Sequence, residues 1–257
     1  MRFTAPPTVG LPGWIRARSQ STVEAMRNRA WWIDPWRTRG MGRSLGWGLA
    51  VGFALPAFVA AALYAADAIA LTRSAEPAAT LAATAFTAAV LTPIIEETLS
   101  RYLLLRAVER LAGSWTAVGV TAVLFGTGHV AVAAANDTLP DALLYAVPGT
   151  LAGVLFAGAY LLTRTMWLPI ALHAGWNLAT NTLFGPDTFG AHRLMTVVPH
   201  APAPISGGAY GTDASVFTSV VLAIACAVVL AAARHRGHLV HARTGRTTTV
   251  SAGGDPR

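Results

Sequence analysis

The strongest constraint on this chain is a succession of apolar runs, each near the ~20 residues that a helix needs to cross the hydrocarbon core of a bilayer. Six are read, at about 45–71, 78–105, 115–135, 142–162, 166–184 and 213–233. Only 12% of the residues are charged, against roughly 25% in a soluble domain. The runs are long and unbroken, whereas barrel strands alternate apolar and polar residues, which excludes a transmembrane β-barrel. The expected fold is all-α, a polytopic bundle of about six membrane spans. It divides into an Arg/Trp-rich tail (1–43), the bundle (44–233, with a core at about 92–180) and a basic tail (234–257). No apolar segment directly follows the first arginines, so no cleavable signal peptide is expected.

A net charge of +7 could suggest a nucleic-acid partner, but the placement of the charge argues otherwise. All 19 basic residues are arginine, and 17 fall on one side when the six spans alternate; only Arg73 and Arg193 remain on the other. That bias predicts cytoplasmic termini and basic segments lying against anionic lipid, with no nucleic-acid role. The absence of lysine fits a high-GC bacterial coding bias, hence a multi-pass protein of the bacterial inner membrane. Cys226 is the single cysteine, so there is no intrachain disulfide.

Against this apolar background, polar residues recur at helical spacing on three spans. The second carries Glu96, Glu97 and Arg101; the third Phe125 and His129; the fifth His173 and Asn177. Residues four apart share a helix face, so Glu97 can pair with Arg101, while Glu96 is rotated about 100° away and is left for chemistry. Pro93 removes a helix hydrogen bond three residues before Glu96, freeing a carbonyl near Val90 and kinking the helix beside the charges. Ionisable groups at membrane depth usually face the bundle interior and mark functional sites.

Such a set suits hydrolysis of an amide bond in two ways. A glutamate and a histidine can hold a water and take its proton, while a second histidine and an asparagine donate to the oxyanion. Alternatively, Glu96, His129 and His173 make a two-histidine, one-carboxylate set for zinc with an open position for water. Counted at 1.5 Å per residue from the span ends, Glu96 is expected roughly 10 Å or more nearer the cytoplasmic face than His129.

Glu-Glu-x-x-x-Arg (Glu96, Glu97, Arg101), Phe-x-x-x-His (Phe125, His129) and His-x-x-x-Asn (His173, Asn177), in order and one per span, resemble the motifs of the CPBP family. These are intramembrane proteases related to the type II CAAX prenyl endopeptidases, called Abi proteins in bacteria. The resemblance covers about 92–180. It implies that Glu96 is the catalytic base assisted by His129, that His173 and Asn177 stabilise the oxyanion, and that Glu97 and Arg101 are a structural ion pair. Phe125 reads as packing at the site. Both a zinc metalloprotease and a metal-free glutamate mechanism are associated with the family. The expected partners are the bilayer and a membrane-associated peptide or protein substrate.

Two other functions compete. A transporter would place these groups on a proton or ion path, but it predicts inverted repeats and broken helices in both halves, which the sequence lacks. A silent scaffold or immunity factor would act through the Trp/Arg tail. Elsewhere, Gly149 and Gly153 read as a helix-packing pair. His192, His200, Asp187 and Asp213 read as a solvated outer loop, and His235, His238 and His241 as a lipid-facing basic segment.

Overall fold

The computed structural model describes residues 34–135, 138–186 and 192–241. The expected tails at 1–33 and 242–257, and Asp187, lie outside the described residues. The described residues form an all-α membrane bundle with one small sheet. Among the described residues, four helical stretches are long and apolar enough to cross a membrane: Met41–Ala65, Ala78–Ala134, Ala146–Thr163 and Gly208–His235. Helix α1 is Met41–Ala65. The double-length stretch joins the second and third expected runs and breaks at Gly113 (φ 83°, ψ 171°) into α2 (78–112) and α3 (114–134). These two fold back as a hairpin, because the Arg101 guanidinium lies 5.0 Å from the centroid of the Phe125 ring. A straight helix would hold residues so far apart in sequence about 36 Å apart. Helix α4 is Ala146–Thr163. Helix α5 is Trp167–Asn177, prolonged by a π-helical stretch, Leu178–Leu183, which together fall just short of spanning length. Helix α6 is Val216–His235.

The first run stops earlier than expected. Asp67 takes a left-handed conformation (φ 54°), Asp67 N–H bonds Tyr64 O and Ala68 N–H bonds Leu63 O, a Schellman closure that ends α1 at Ala65. Residues beyond it form strand β1, Ile69–Arg73. β1 pairs antiparallel with β3, Met195–Pro199, with Ile69 opposite Pro199, and β3 pairs parallel with the two-residue β2, Phe184–Gly185. The region read as a plain loop therefore builds a sheet at the far end of α1. The described chain ends meet at the other end. There Arg37 donates to Thr163 O, Trp36 packs edge-on against Trp167, and His238 Nδ1 donates to Leu161 and Leu162 carbonyls. His238 is thus a packed closing residue and not part of a lipid-facing face.

Polarity is inverted relative to a soluble domain. Trp47, Phe58 and Val228 are about two-thirds exposed, while Glu97 and Arg101 are fully buried. Lipid solvates the apolar exterior, so association of these helices relies on close packing and internal polar contacts. A Cβ on Gly153 would stand 2.7 Å from the Ala122 Cα, so α3 and α4 touch backbone to backbone there, as the Gly149/Gly153 reading expected. Gly52 serves the same purpose between α1 and α5, where a Cβ would run into the Leu172 carbonyl. These contacts hold α4 against α3 and α5 against α1.

Candidate active site

The site is built around two irregularities in α2. A π-helical stretch, Thr87–Leu91, precedes Pro93, and a second, Thr98–Leu105, follows the paired glutamates. Such insertions are rare and concentrate at functional sites. In the first, Thr92 N–H bonds Thr87 O, five residues back. The next donor in that register would be residue 93, and proline has none. Ala88 O is thereby freed, and the Asn177 side-chain amide donates to it at 2.9 Å. The orphaned carbonyl is therefore Ala88 and not one near Val90, because the local helix is π and not α. One N–H of Asn177 is spent on tying α5 to the break in α2; the residue also lines the cavity described below.

Glu97 and Arg101 form the expected buried pair, with Arg101 Nε 3.2 Å from Glu97 Oε2. The two atoms are too poorly aligned to count as a hydrogen bond. Arg101 is held further by donation from Nη2 to Gly153 O at 2.9 Å and by the rings of Phe125 and Phe156, at 5.0 and 5.6 Å. Cation–π contact offsets part of the desolvation of a buried guanidinium. Glu97 has a second task that helical spacing did not reveal. Its Oε1 accepts from His173 Nδ1 at 3.0 Å, while the same imidazole stacks on Phe156 at 4.6 Å. Phe125 meets His173 edge-on at 5.9 Å, so it packs at the site as expected. His173 is fixed on one edge and turns Nε2 towards Glu96, 3.9 Å from Oε2.

Glu96 is the less buried of the two glutamates, with its side chain 37% exposed where that of Glu97 is 0%. His129 Nδ1 lies 2.9 Å from Phe125 O. A carbonyl only accepts, so Nδ1 carries a proton, and in the neutral imidazole Nε2 is the acceptor. Glu96, His129, His173 and Asn177 all line one cavity of about 690 Å³. The expected offset in depth between Glu96 and His129 does not arise. Helix α2 runs past the expected end of its span to Gly113, and the two residues stand at nearly equal distances from that turn, 17 and 16 residues along the chain.

The cavity also holds residues the motifs did not identify: Tyr145, Trp176, Thr180, Arg193 and Asp213. Asp213 was expected in a solvated loop. It instead lines the cavity beside Trp176 and Thr180, whose hydroxyl donates to Trp176 O at 3.2 Å. Its place just before a long apolar run was the one available signal, since a carboxylate there is costly unless packed or used.

Among the described residues, no three side chains of His, Cys, Asp or Glu stand together as a metal ion would require. His173 Nδ1 is held by Glu97, and His129 Nδ1 by the Phe125 carbonyl. With Nδ1 so engaged, Nε2 of each imidazole is the nitrogen left for the cavity, as in metal-ligating histidines, and the steps below are derived from the side chains alone.

Residues 78–179 match a family described as Rce1-like, type II CAAX prenyl endopeptidase. The matched segment contains all three motifs and bears out the resemblance they carry. No curated protein and no solved structure matches the chain.

Proposed function

We propose that this multi-pass membrane protein, whose residues 78–179 are of the type II CAAX prenyl endopeptidase kind, is an intramembrane endopeptidase that cleaves a membrane-associated peptide or protein. The observation that carries the reading is the gathering of Glu96, His129, His173 and Asn177, from three helices, around one cavity.

A water held between the Glu96 carboxylate and His129 Nε2 gives a proton to Glu96 as its oxygen attacks the scissile carbonyl carbon. The carbonyl π electrons move to oxygen and form a tetrahedral oxyanion. His173, held on Nδ1 by Glu97, donates from Nε2 when it carries both protons, and the second N–H of Asn177 is the other donor. When the oxyanion collapses, the C–N bond breaks and Glu96 returns its proton to the leaving amine. Placement supports this division of labour. Glu97 is closed off by Arg101 and His173, whereas Glu96 is part-exposed to the cavity.

The test compares the purified protein with its Glu96→Ala variant on membrane peptides, with proteomics of membranes from cells carrying each. Peptides that accumulate only with Glu96→Ala are the expected result; equal cleavage by both forms removes the assignment. The localisation proposed is the bacterial inner membrane, with the chain-end face of the bundle cytoplasmic.

A further inference from the structure

The cavity has a second polar end for which hydrolysis has no use. Asp213, just ahead of α6, lines the same space as Glu96 and His129. Trp176 and Thr180, on one face of α5 and its π extension, stand beside its carboxyl group, and the Thr180 hydroxyl donates to Trp176 O. The Oδ1 atom, however, is buried and has no hydrogen-bond partner. Buried carboxylate oxygens nearly always find a donor, and an exception that lines a cavity is explained by a functional role or by a water, an ion or a bound group that supplies one. Helix capping does not account for Asp213. The N-cap of α6 is Ser215, whose Oγ accepts from Phe217 N–H, and Thr218 Oγ1 donates to Thr212 O.

We propose that Asp213 is a substrate-positioning residue whose Oδ1 accepts a main-chain N–H of the bound peptide. The inference rests on the endopeptidase reading and concerns how the peptide is held. An extended peptide turns an N–H to the same side every second residue, about 6.6 Å apart. A chain with its scissile carbonyl at His173 and Asn177 thus presents further N–H groups along the wall that Trp176, Thr180 and Asp213 continue. The rest of the lining includes Leu99, Leu124, Val132 and Leu222, which receive side chains without reading their polarity. Recognition at Asp213 is therefore indifferent to sequence with one exception: proline, which lacks the N–H, is rejected at that register.

Binding is measured without chemistry, on full-length Glu96→Gln protein in detergent micelles. The probe is a fluorescein-labelled octapeptide of alternating leucine and alanine, together with analogues in which an ester replaces each amide in turn. Adding Asp213→Ala weakens binding about tenfold, the effect of losing a hydrogen bond to a charged acceptor. Adding the near-isosteric Asp213→Asn, which keeps an acceptor oxygen, weakens it about threefold. One ester position costs about tenfold with Asp213 present and nothing with Asp213→Ala. Melting curves of each variant establish that it is folded. Undiminished binding by Asp213→Ala overturns the proposal, as does failure of the Glu96→Gln protein to bind the octapeptide. Equal losses in Asp213→Asn and Asp213→Ala also overturn it, because they mark a cationic group as the ligand. Ester effects that are the same with and without Asp213 overturn it as well. Cleavage by wild type against Glu96→Ala decides the hydrolytic reading separately, so each can fail while the other stands.

Discussion

Two buried glutamate–arginine pairs in this protein have opposite surroundings. Arg164 Nη1 and Nη2 meet Glu109 Oε2 and Oε1 at 2.7 and 2.9 Å, a bidentate fork, and Ser114 Oγ donates to the same carboxylate. Arg164 also donates to His238 O, while Ser114 and Val240 exchange backbone and hydroxyl bonds at 2.8 and 2.7 Å. Every strong acceptor there is used, and the result is a seam that ties the turn at Gly113, the end of α4 and the last described residues together. The Glu97–Arg101 pair is less completely bonded, passes its second carboxylate oxygen to a histidine, and stands beside a cavity. A buried ion pair is thus not itself a sign of chemistry. What distinguishes the second pair is its neighbour, the part-exposed and incompletely engaged Glu96.

That contrast can be broken by experiment, most severely at Glu96. Glu96→Gln keeps the shape and removes the proposed base, so turnover falls on the order of 10³-fold while the melting temperature stays put. Retained turnover would leave the two pairs alike as structure. Next come the pairs themselves. Arg101→Ala and Arg164→Ala each strand a buried carboxylate and cost about 3–5 kcal/mol in denaturant unfolding. Turnover per folded molecule separates them, since it is lost with Arg101→Ala, which frees Glu97 and hence His173, and kept with Arg164→Ala. Asn177→Ala leaves Ala88 O unsatisfied, costing about 1–3 kcal/mol, and lowers kcat more than it raises KM. Ser114→Ala is the milder seam variant, costing about 1 kcal/mol with no change in turnover. The smallest effect is expected from a chelator, because the site assembles no three-ligand set; cleavage changes less than about twofold. Loss with recovery on adding zinc would show that Glu96, His129 and His173 close around a metal.

Several features were legible because they follow from local periodicity. Apolar runs near twenty residues leave a membrane helix as the only economical state, since each backbone group must be bonded within its own segment. Four-residue spacing put Glu97 with Arg101 and turned Glu96 away, and Pro93 announced a break. Other features needed partners remote in sequence. Nothing near His173 indicates that Glu97 will hold its Nδ1, nor that Asn177 will answer the Ala88 carbonyl, since the π register that frees it depends on packing. Glu109 and Arg164 lie on different helices and meet only because the hairpin at Gly113 and the left-handed Arg164 bring their ends together. Asp213 read as solvated for the same reason, as a carboxylate in a Gly-rich loop reveals its burial only when α5 covers it.

The sequence alone thus determined the solvent of this protein, its helical class and the family motifs, because each is set by residue type and spacing along a single segment. Only the tertiary structure decided that Glu96 and His129 share one depth, that His173 is gripped by Glu97, and that the cavity continues to Asp213. Those are relations between segments, and they depend on where helices turn and how closely their backbones approach.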